Sequence, residues 1–208
     1  MIVVDVETTG VDPVRHAIVA IGAIDFASPQ HRFYRECRIW DGAQVQAEAL
    51  AVNGFTHEQI TDPARPSAEQ AIAEFVAFCR ESPERTLAGQ NTSFDRDFLQ
   101  AAADRHNLAW QFGHRVLDLH SFCWLHMAKA GIPQPQKNVR SSLSLNAILK
   151  YCGLPEEPRP HNGLTGAVME AEAFHRLIHG ASLIEEFKKH PLPEGFGVPP
   201  VPPQHQLL

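Results

Sequence analysis

The chain has 208 residues, of which 20% are charged and 44% apolar, and its formal net charge is -6. This composition is typical of a globular protein with one sizeable core. The acidic balance argues against a broad basic surface that binds duplex nucleic acid by charge alone, although metal ions in a site would add positive charge that this count omits. The four cysteines form no C-x-x-C pair, which disfavours a zinc knuckle or a disulfide framework. We expect a soluble cytoplasmic protein, because the first residues form an acid-bearing strand and no apolar run reaches membrane-spanning length.

The first predicted strand carries two acids. Residues 2–6 are mostly apolar and β-branched, which predicts a buried central strand. Residues two apart in a strand point to the same face, so Asp5 and Glu7 lie side by side. Such a pair needs raised pKa values, basic partners or cations, and oxygen ligands on a rigid strand suit Mg2+ or Mn2+. The alternative is that Asp5 or Glu7 lies at the strand end and is simply solvated. The turn that follows the strand favours a ligand site, because ligands of open α/β sheets bind at such turns.

The remaining elements predict an α/β protein with a mixed sheet. Two strands, 17–26 and 32–39, are expected to pair as a hairpin, and short strands are expected at 86–89 and 116–118. Helices are predicted at 46–52, 67–79, 93–106, 120–130, 144–152 and 163–178. The polar segment 131–142 predicts a mobile loop. We expect one domain over residues 1–180 and an extended or disordered tail over 181–208, whose end is rich in proline and lacks periodicity.

Three sequence motifs lie at predicted turns and helix starts. They are Asp5-Val6-Glu7-Thr8-Thr9-Gly10, Gly89-Gln90-Asn91-Thr92-Ser93-Phe94-Asp95 and His161-Asn162-Gly163-Leu164. In this order they resemble the exonuclease motifs of the DEDDh family, which includes proofreading 3′-5′ exonucleases and ribonuclease T-like enzymes. One motif alone would be weak evidence, whereas three at suitable separations are strong evidence. The resemblance extends over residues 2–177.

The resemblance implies a ribonuclease H-like fold, with a five-stranded mixed sheet and helices on both faces. It implies hydrolysis of phosphodiester bonds at 3′ ends of single-stranded DNA or RNA, with two divalent ions, Mg2+ or Mn2+. Asp5, Glu7 and Asp95 correspond to metal ligands, and Glu7 also to a contact with the 3′ hydroxyl. His161 corresponds to the general base, a task that suits imidazole near neutral pH. Taken alone, Asp95 is better explained by the macrodipole at a helix start, and only the surrounding motif favours metal ligation.

The same resemblance implies substrate contacts in the turns. The predicted contacts are Thr8, Thr9, Gly10 and Asn91, although Asn91 is equally compatible with a role in stabilising its own turn. Phe55 and Phe94 are candidates for stacking on the terminal base, with core packing as the alternative for each. A homodimer is compatible with the resemblance. The last residues, 204–208, loosely resemble a clamp-docking peptide and suggest contact with a replication protein, whereas a plain disordered end is the alternative.

The fourth acid of the family is missing from its usual position. The third motif normally carries an aspartate five residues after its histidine, and this position is Gly166. Glu170 lies one helical turn further on the same face, and its side chain leans back toward the helix start, where the glycine leaves room. Glu172 is expected on the side of the helix opposite its packed face. The alternative is that Glu170 is solvated.

We therefore predict a set of four metal ligands, called here the four-acid set. Its members are Asp5, Glu7, Asp95 and Glu170. If the departure at position 166 abolished catalysis, the chain would instead be a nucleic-acid-binding module of the same fold. The same acids would also serve a metal-dependent phosphatase or small-nucleotide hydrolase.

Overall fold

The computed structural model describes residues 1–196. The chain forms two compact units, the first comprising Met1–Asp118 with Glu157–Ala171, and the second Leu119–Glu156 with the chain from Glu172 onward. Every residue predicted for the site belongs to the first unit. No helix within residues 1–196 is long and apolar enough to cross a membrane.

A five-stranded mixed sheet forms the centre of the first unit. Its strands are β1 (Ile2–Thr8), β2 (Ile18–Asp25), β3 (Arg32–Glu36), β4 (Leu87–Gly89) and β5 (Leu117–Asp118). The order β3-β2-β1-β4-β5 places β1 in the middle, antiparallel to β2 and parallel to β4. The predicted mixed sheet is confirmed, although its third strand ends earlier than expected.

The middle strand β1 separates an apolar face from an acidic one. Ile2, Val4 and Val6 are buried in a core that includes Phe75 and Phe98 from two helices. Because side chains alternate along a strand, the carboxylates at positions 5 and 7 lie on the opposite face.

Seven α-helices are present within residues 1–196. They are α1 (Ala47–Asn53), α2 (His57–Thr61), α3 (Ala68–Arg80), α4 (Thr92–Arg105), α5 (Leu119–Lys129), α6 (Leu145–Tyr151) and α7 (Gly163–His179). Six of these helices were predicted, and α2 was missed. The sequence signal for α2 is the capping box between Thr56 and Gln59, in which each side chain bonds to the backbone of the other residue.

The segment predicted as a mobile loop contains regular structure in the second unit. A small hairpin pairs β6 (Gln136–Lys137) with β7 (Arg140–Ser141). Its two turn residues, Asn138 and Val139, both have positive φ angles, as a tight hairpin turn requires. The predicted loop over 131–142 therefore contains a hairpin, and its mobility stays a prediction.

The second unit contains a fully buried ion pair on α7. The Nε atom of Arg176 lies 2.7 Å from Oε1 of Glu172, and both side chains are 0% exposed. Glu172 also accepts hydrogen bonds from Ser182 and from the backbone N–H groups of Leu183 and Ile184. Glu172 is thus a structural residue, because the side of the helix that carries it is buried as well.

Part of the predicted tail is packed in the same unit. A short 3-10 helix spans Glu185–Phe187, Ile184 is 2% exposed, and Arg176 donates to the carbonyl groups of Phe187 and His190. The domain boundary at residue 180 stays a prediction. Residues 204–208, with their possible clamp-docking sequence, lie outside the described residues.

Candidate functional site

Three acids meet where β1 ends and α4 begins. Strands β1 and β4 are parallel, so their carboxyl ends lie at the same edge of the sheet, and α4 follows β4 directly. Oδ1 of Asp95 accepts the backbone N–H of Val6 at 2.9 Å, beyond the part of β1 that pairs with β4. Asp95 is only 4% exposed. Asp95 is therefore fixed against the acid-bearing strand and is not a solvated helix-start residue.

Helix α7 brings Glu170 to the same acids. Glu170 is 3% exposed, and the backbone N–H of Gln90 donates to its carboxylate. Its Oε2 atom has no hydrogen-bond partner among the described residues and lies 3.1 Å from the point that a Cβ atom at Gly89 would occupy. Burying a carboxylate oxygen without a partner is costly. A cation is the kind of partner that this oxygen lacks.

A fifth carboxylate, Glu157, belongs to the site and was missed from the sequence. It is 9% exposed, its Oε2 atom lies 3.6 Å from Nδ1 of His161, and its charge raises the pKa values of Asp5, Glu7 and Glu170. It precedes α7 in a proline-rich segment, where no hydrophobic periodicity assigns a residue to a face. The one available signal is an acid four residues before the candidate base.

The acids disfavour one another's charged forms. Burial, followed by the charge of Glu157, raises the pKa of Glu7 to about 7. Burial also raises the pKa of Asp95 to about 8, against backbone hydrogen bonds that lower it. The pKa of Asp5 is raised by burial and then by Asp95 and Glu7. Burial, followed by Asp5 and Asp95, raises the pKa of Glu170. At neutral pH such a site is stabilised by binding protons or cations.

The donor atoms of this site suit a hard divalent cation. They are carboxylate oxygens, the ligands that Mg2+ and Mn2+ prefer, and the partnerless Oε2 atom of Glu170 fits the same interpretation. Within residues 1–196, no three His, Cys, Asp or Glu side chains already have the spacing of metal ligands.

Glycines allow α7 to approach the sheet closely. A Cβ atom at Gly22 of β2 would lie well under 3.0 Å from backbone atoms of Gly163 and Leu164. A Cβ atom at Gly163 would lie 2.6 Å from the carbonyl oxygen of Asp5. The first turn of α7 thus packs directly against the backbone of β1 and β2, which any larger residue at these two glycines would prevent.

The same close approach explains Gly166. A Cβ atom at this position would lie well under 3.0 Å from Oδ2 of Asp5 and 3.3 Å from Oε1 of Glu157. The sequence interpretation assigned the free space above Gly166 to Glu170. The structure corrects this detail, because Asp5 occupies that space, while Glu170 lies one turn further along beside Gly89.

His161 lies beside Glu157 and next to a cavity. Its side chain is 27% exposed, and its backbone N–H donates to the carbonyl of Val52 at 3.0 Å. The cavity has a volume of about 250 Å³ and is lined in part by His161, Phe55 and Arg65. The Arg65 guanidinium lies 5.2 Å from the centre of the Phe55 ring. An aromatic ring and a cation therefore border the cavity beside the candidate base.

The turn after β1 uses its hydroxyl groups internally. The Thr9 hydroxyl donates to the carbonyl of Gln44 at 2.7 Å and accepts the N–H of Ala17 at 2.9 Å. The Thr8 hydroxyl donates to the carbonyl of Gly10 at 2.7 Å. These side chains stabilise the turn, and their predicted contact with substrate stays a prediction.

Asn91 starts α4 in a left-handed conformation. Its φ angle is 60° and its ψ angle 40°, and its side chain makes no capping hydrogen bond. Asn91 is exposed at the edge of the sheet where the acids lie. The backbone position suits asparagine, which tolerates this conformation, while a contact with substrate stays a prediction.

Comparisons with known proteins agree with this geometry. Residues 2–174 match the family model RNase T, described as an exonuclease. The chain is 25% identical over 182 residues to the chloroplastic and mitochondrial exonuclease DPD1 of Arabidopsis thaliana, an alignment that covers 85% of this chain. The chain spans only 55% of the length of that relative.

Solved nuclease structures share the fold. Escherichia coli exonuclease I in complex with a dA16 oligonucleotide superposes with a TM-score of 0.64 at 18% identity, covering 85% of this chain and 40% of that one. The nuclease domain of 3′hExo, a DEDDh family member bound to rAMP, gives a TM-score of 0.66 at 17% identity and covers 87% of this chain and 92% of that domain. The expected ribonuclease H-like fold and the resemblance to DEDDh exonucleases are confirmed.

Proposed function

We propose that this chain, which belongs to the RNase T family of exonucleases, hydrolyses phosphodiester bonds from the 3′ ends of single-stranded nucleic acid with the help of divalent cations. The observation that carries the proposal is the position of Glu170, buried among the family acids with one oxygen unpartnered among residues 1–196. It supplies a fourth carboxylate where the family's usual aspartate is replaced by Gly166.

The four-acid set would hold two divalent ions, Mg2+ or Mn2+. Bound there, such ions stabilise the attacking and leaving oxygens of an in-line displacement at phosphorus. The charges of Asp95 and Glu7 raise the pKa of Asp5, and the charge of Asp5 raises that of Glu170. Because Asp5 interacts with each other member of the set, it would be the ligand that both ions share.

His161 would act as the general base. It lies at the start of α7, and its partly exposed side chain borders the cavity, where water and a substrate end have access. An imidazole in this position would take a proton from the attacking water. Glu7, at the end of β1, would contact the 3′ hydroxyl.

The cavity beside His161 supports the choice of substrate. Phe55 offers a ring for stacking on a base, and Arg65 offers a positive charge for a phosphate. The related folds include one solved with a DNA oligonucleotide and one solved with rAMP, so both DNA and RNA ends are candidate substrates. Homodimer formation stays a prediction.

Labelled oligonucleotides test this proposal. Single-stranded DNA and RNA would be incubated with the chain and Mn2+, with and without EDTA, and mononucleotide release would be measured. We expect release from the 3′ end only without EDTA, and its loss in Glu170→Gln. Glu69→Gln, at an exposed helix position, is the matched control and should behave as wild type.

Two other outcomes would replace the proposal. Retention of the oligonucleotide without cleavage would identify a binding module. Cleavage of small phosphorylated nucleotides with inert oligonucleotides would identify a phosphatase or small-nucleotide hydrolase.

A further inference from the structure

Two carboxylate oxygens face the position of Gly166 from different segments. One is Oδ2 of Asp5, and the other is Oε1 of Glu157, which lies 3.3 Å from the point where a Cβ atom at Gly166 would be. Glu157 therefore directs a carboxylate to the region where the side chain of the family's aspartate would begin. It reaches this region from the segment before α7 and not from the helix itself.

Glu157 is a buried residue whose neighbours are mostly other carboxylates. Glu157 is 9% exposed and lies close enough to Glu7 to be the one charged group that raises the pKa of Glu7. On its other side, Oε2 lies 3.6 Å from Nδ1 of His161, longer than a hydrogen bond. Burial raises the pKa of Glu157, whereas the charges of His161 and Arg159 lower it. Asp5, Glu7 and Glu170 are like charges whose pKa values Glu157 raises.

A separate observation supports a cation among these acids. Oε2 of Glu170 is buried and has no hydrogen-bond partner within residues 1–196. Glu170 contacts the side of the site formed by Gly89 and the Gln90 backbone. Glu157 contacts the side formed by Gly166 and His161. Asp5 is electrostatically coupled to both glutamates.

We propose that Glu157 is a further ligand for the divalent cations of this site, and that Glu157 and Glu170 together replace the single aspartate that the family carries at position 166. The inference rests on the proposed function only for the identity of the cations. A side chain at position 166 would meet the carboxylate of Asp5, whereas Glu157 and Glu170 bring their carboxylates from the preceding segment and from the next helical turn.

Calorimetric titration of the full chain with Mn2+ tests the inference independently of activity. We expect Glu157→Gln to weaken at least one Mn2+ binding step by about tenfold, a typical effect of altering a metal site. Glu157→Asp, which keeps the charge, should retain part of the affinity. Glu156→Gln is the matched control, since this neighbouring glutamate is exposed, and it should bind Mn2+ as wild type does.

Thermal unfolding without metal shows whether the variant is folded. Removing one of several mutually repelling buried carboxylates should leave the melting temperature of Glu157→Gln equal to or above that of wild type. With Mn2+ added, wild type should gain more stability than the variant. A metal-free variant that fails to fold would overturn the inference, because Glu157 would then be a structural residue.

Two results separate this inference from the proposed activity. If wild type cleaves 3′ ends while Glu157→Gln binds Mn2+ with unchanged affinity and stoichiometry, Glu157 is not a ligand and the exonuclease proposal stands. If Glu157→Gln loses Mn2+ affinity while wild type cleaves neither DNA nor RNA, the ligand assignment stands and the exonuclease proposal fails. Wild type that binds no Mn2+ would overturn the assignment of Glu157.

Discussion

The carboxylate of Asp5 occupies the space that a side chain at Gly166 would need, with its Oδ2 atom well under 3.0 Å from the Cβ position. Helix α7 is held this close to β1 because Gly22 and Gly163 allow backbone to pack on backbone. A side chain at position 166 would therefore meet the carboxylate of Asp5, which would have to shift to admit it.

Adding a methyl group at position 166 tests this relationship. We expect Gly166→Ala to displace Asp5 or push α7 away, with a loss of stability of roughly 1–3 kcal/mol from overpacking. Activity should fall on the order of 100-fold, the effect of a displacement of about 1 Å in a catalytic site. Urea unfolding and initial cleavage rates measure the two effects.

The same experiment has an informative second variant and a control. Gly166→Asp restores the family residue, yet should be at least as impaired as Gly166→Ala, since its Cβ atom meets the same Asp5 oxygen. Gly113→Ala introduces a methyl group at an uncrowded glycine, where the nearest atom lies 3.9 Å away, and should behave as wild type. Full activity in Gly166→Asp would disprove the packing argument.

The raised carboxylate pKa values predict the pH dependence of stability without metal. Glu7 has a pKa of about 7 in the folded chain instead of 4.5, so folding favours its protonated form. Its contribution to stability is complete below about pH 4.5 and is lost as the pH rises through 7, a difference of roughly 3 kcal/mol at about 1.4 kcal/mol per pH unit. Asp95, with a pKa of about 8, acts in the same direction.

Melting temperatures across this pH range check the sign. In EDTA, the melting temperature should fall between about pH 5 and pH 8. Added Mn2+ should raise it most at the upper end, where the carboxylates are ionised. A metal-free protein that becomes more stable over the same range would contradict the electrostatic description of the site.

His161 is predicted to act on the reaction and not on the fold. Replacing it by asparagine should lower the cleavage rate by about 10²–10⁴-fold, the usual contribution of a general base, while Mn2+ affinity stays close to wild type. His114→Asn, at an exposed histidine in the same unit, serves as the control. A variant of His161 that cleaves at the wild-type rate would rule out its role as base.

A variant of Thr9 shows whether the hydroxyl group of this residue stabilises the turn or contacts the substrate. Its hydroxyl group bonds to both Gln44 and Ala17, so Thr9→Val should cost about 1–3 kcal/mol by leaving these backbone groups without partners. Thr61→Val, at an exposed threonine, should cost much less. If Thr9→Val retained stability and raised only KM, the hydroxyl would be a substrate contact.

Much of the fold was predictable because local patterns agreed with their tertiary setting. The alternation in β1 placed the carboxylates of Asp5 and Glu7 on one face, and the Ser67 side chain accepts the N–H of Gln70 as its spacing indicated. Helical periodicity also placed Glu170 near the other acids, one turn beyond Gly166.

The features of the site that the sequence did not predict depend on the distances between helices, strands and loops. No periodicity in the sequence indicates that Gly22 and Gly163 bring two backbones into contact, so the reason for Gly166 could not be deduced. Glu157 lies in a proline-rich segment, where no pattern in the sequence predicts its proximity to Asp5. The burial of Glu172 was not predicted, because it depends on the ion pair with Arg176, which is buried with it.

The most direct test of the central claim is release of mononucleotides from 3′-labelled single-stranded DNA and RNA, measured for wild type and Glu170→Gln at several Mn2+ concentrations. The account predicts metal-dependent release from the 3′ end by wild type, and a variant that is folded, binds Mn2+ more weakly and cleaves far more slowly. Equal cleavage by the variant and wild type throughout the Mn2+ series would contradict the claim that Glu170 completes the metal site.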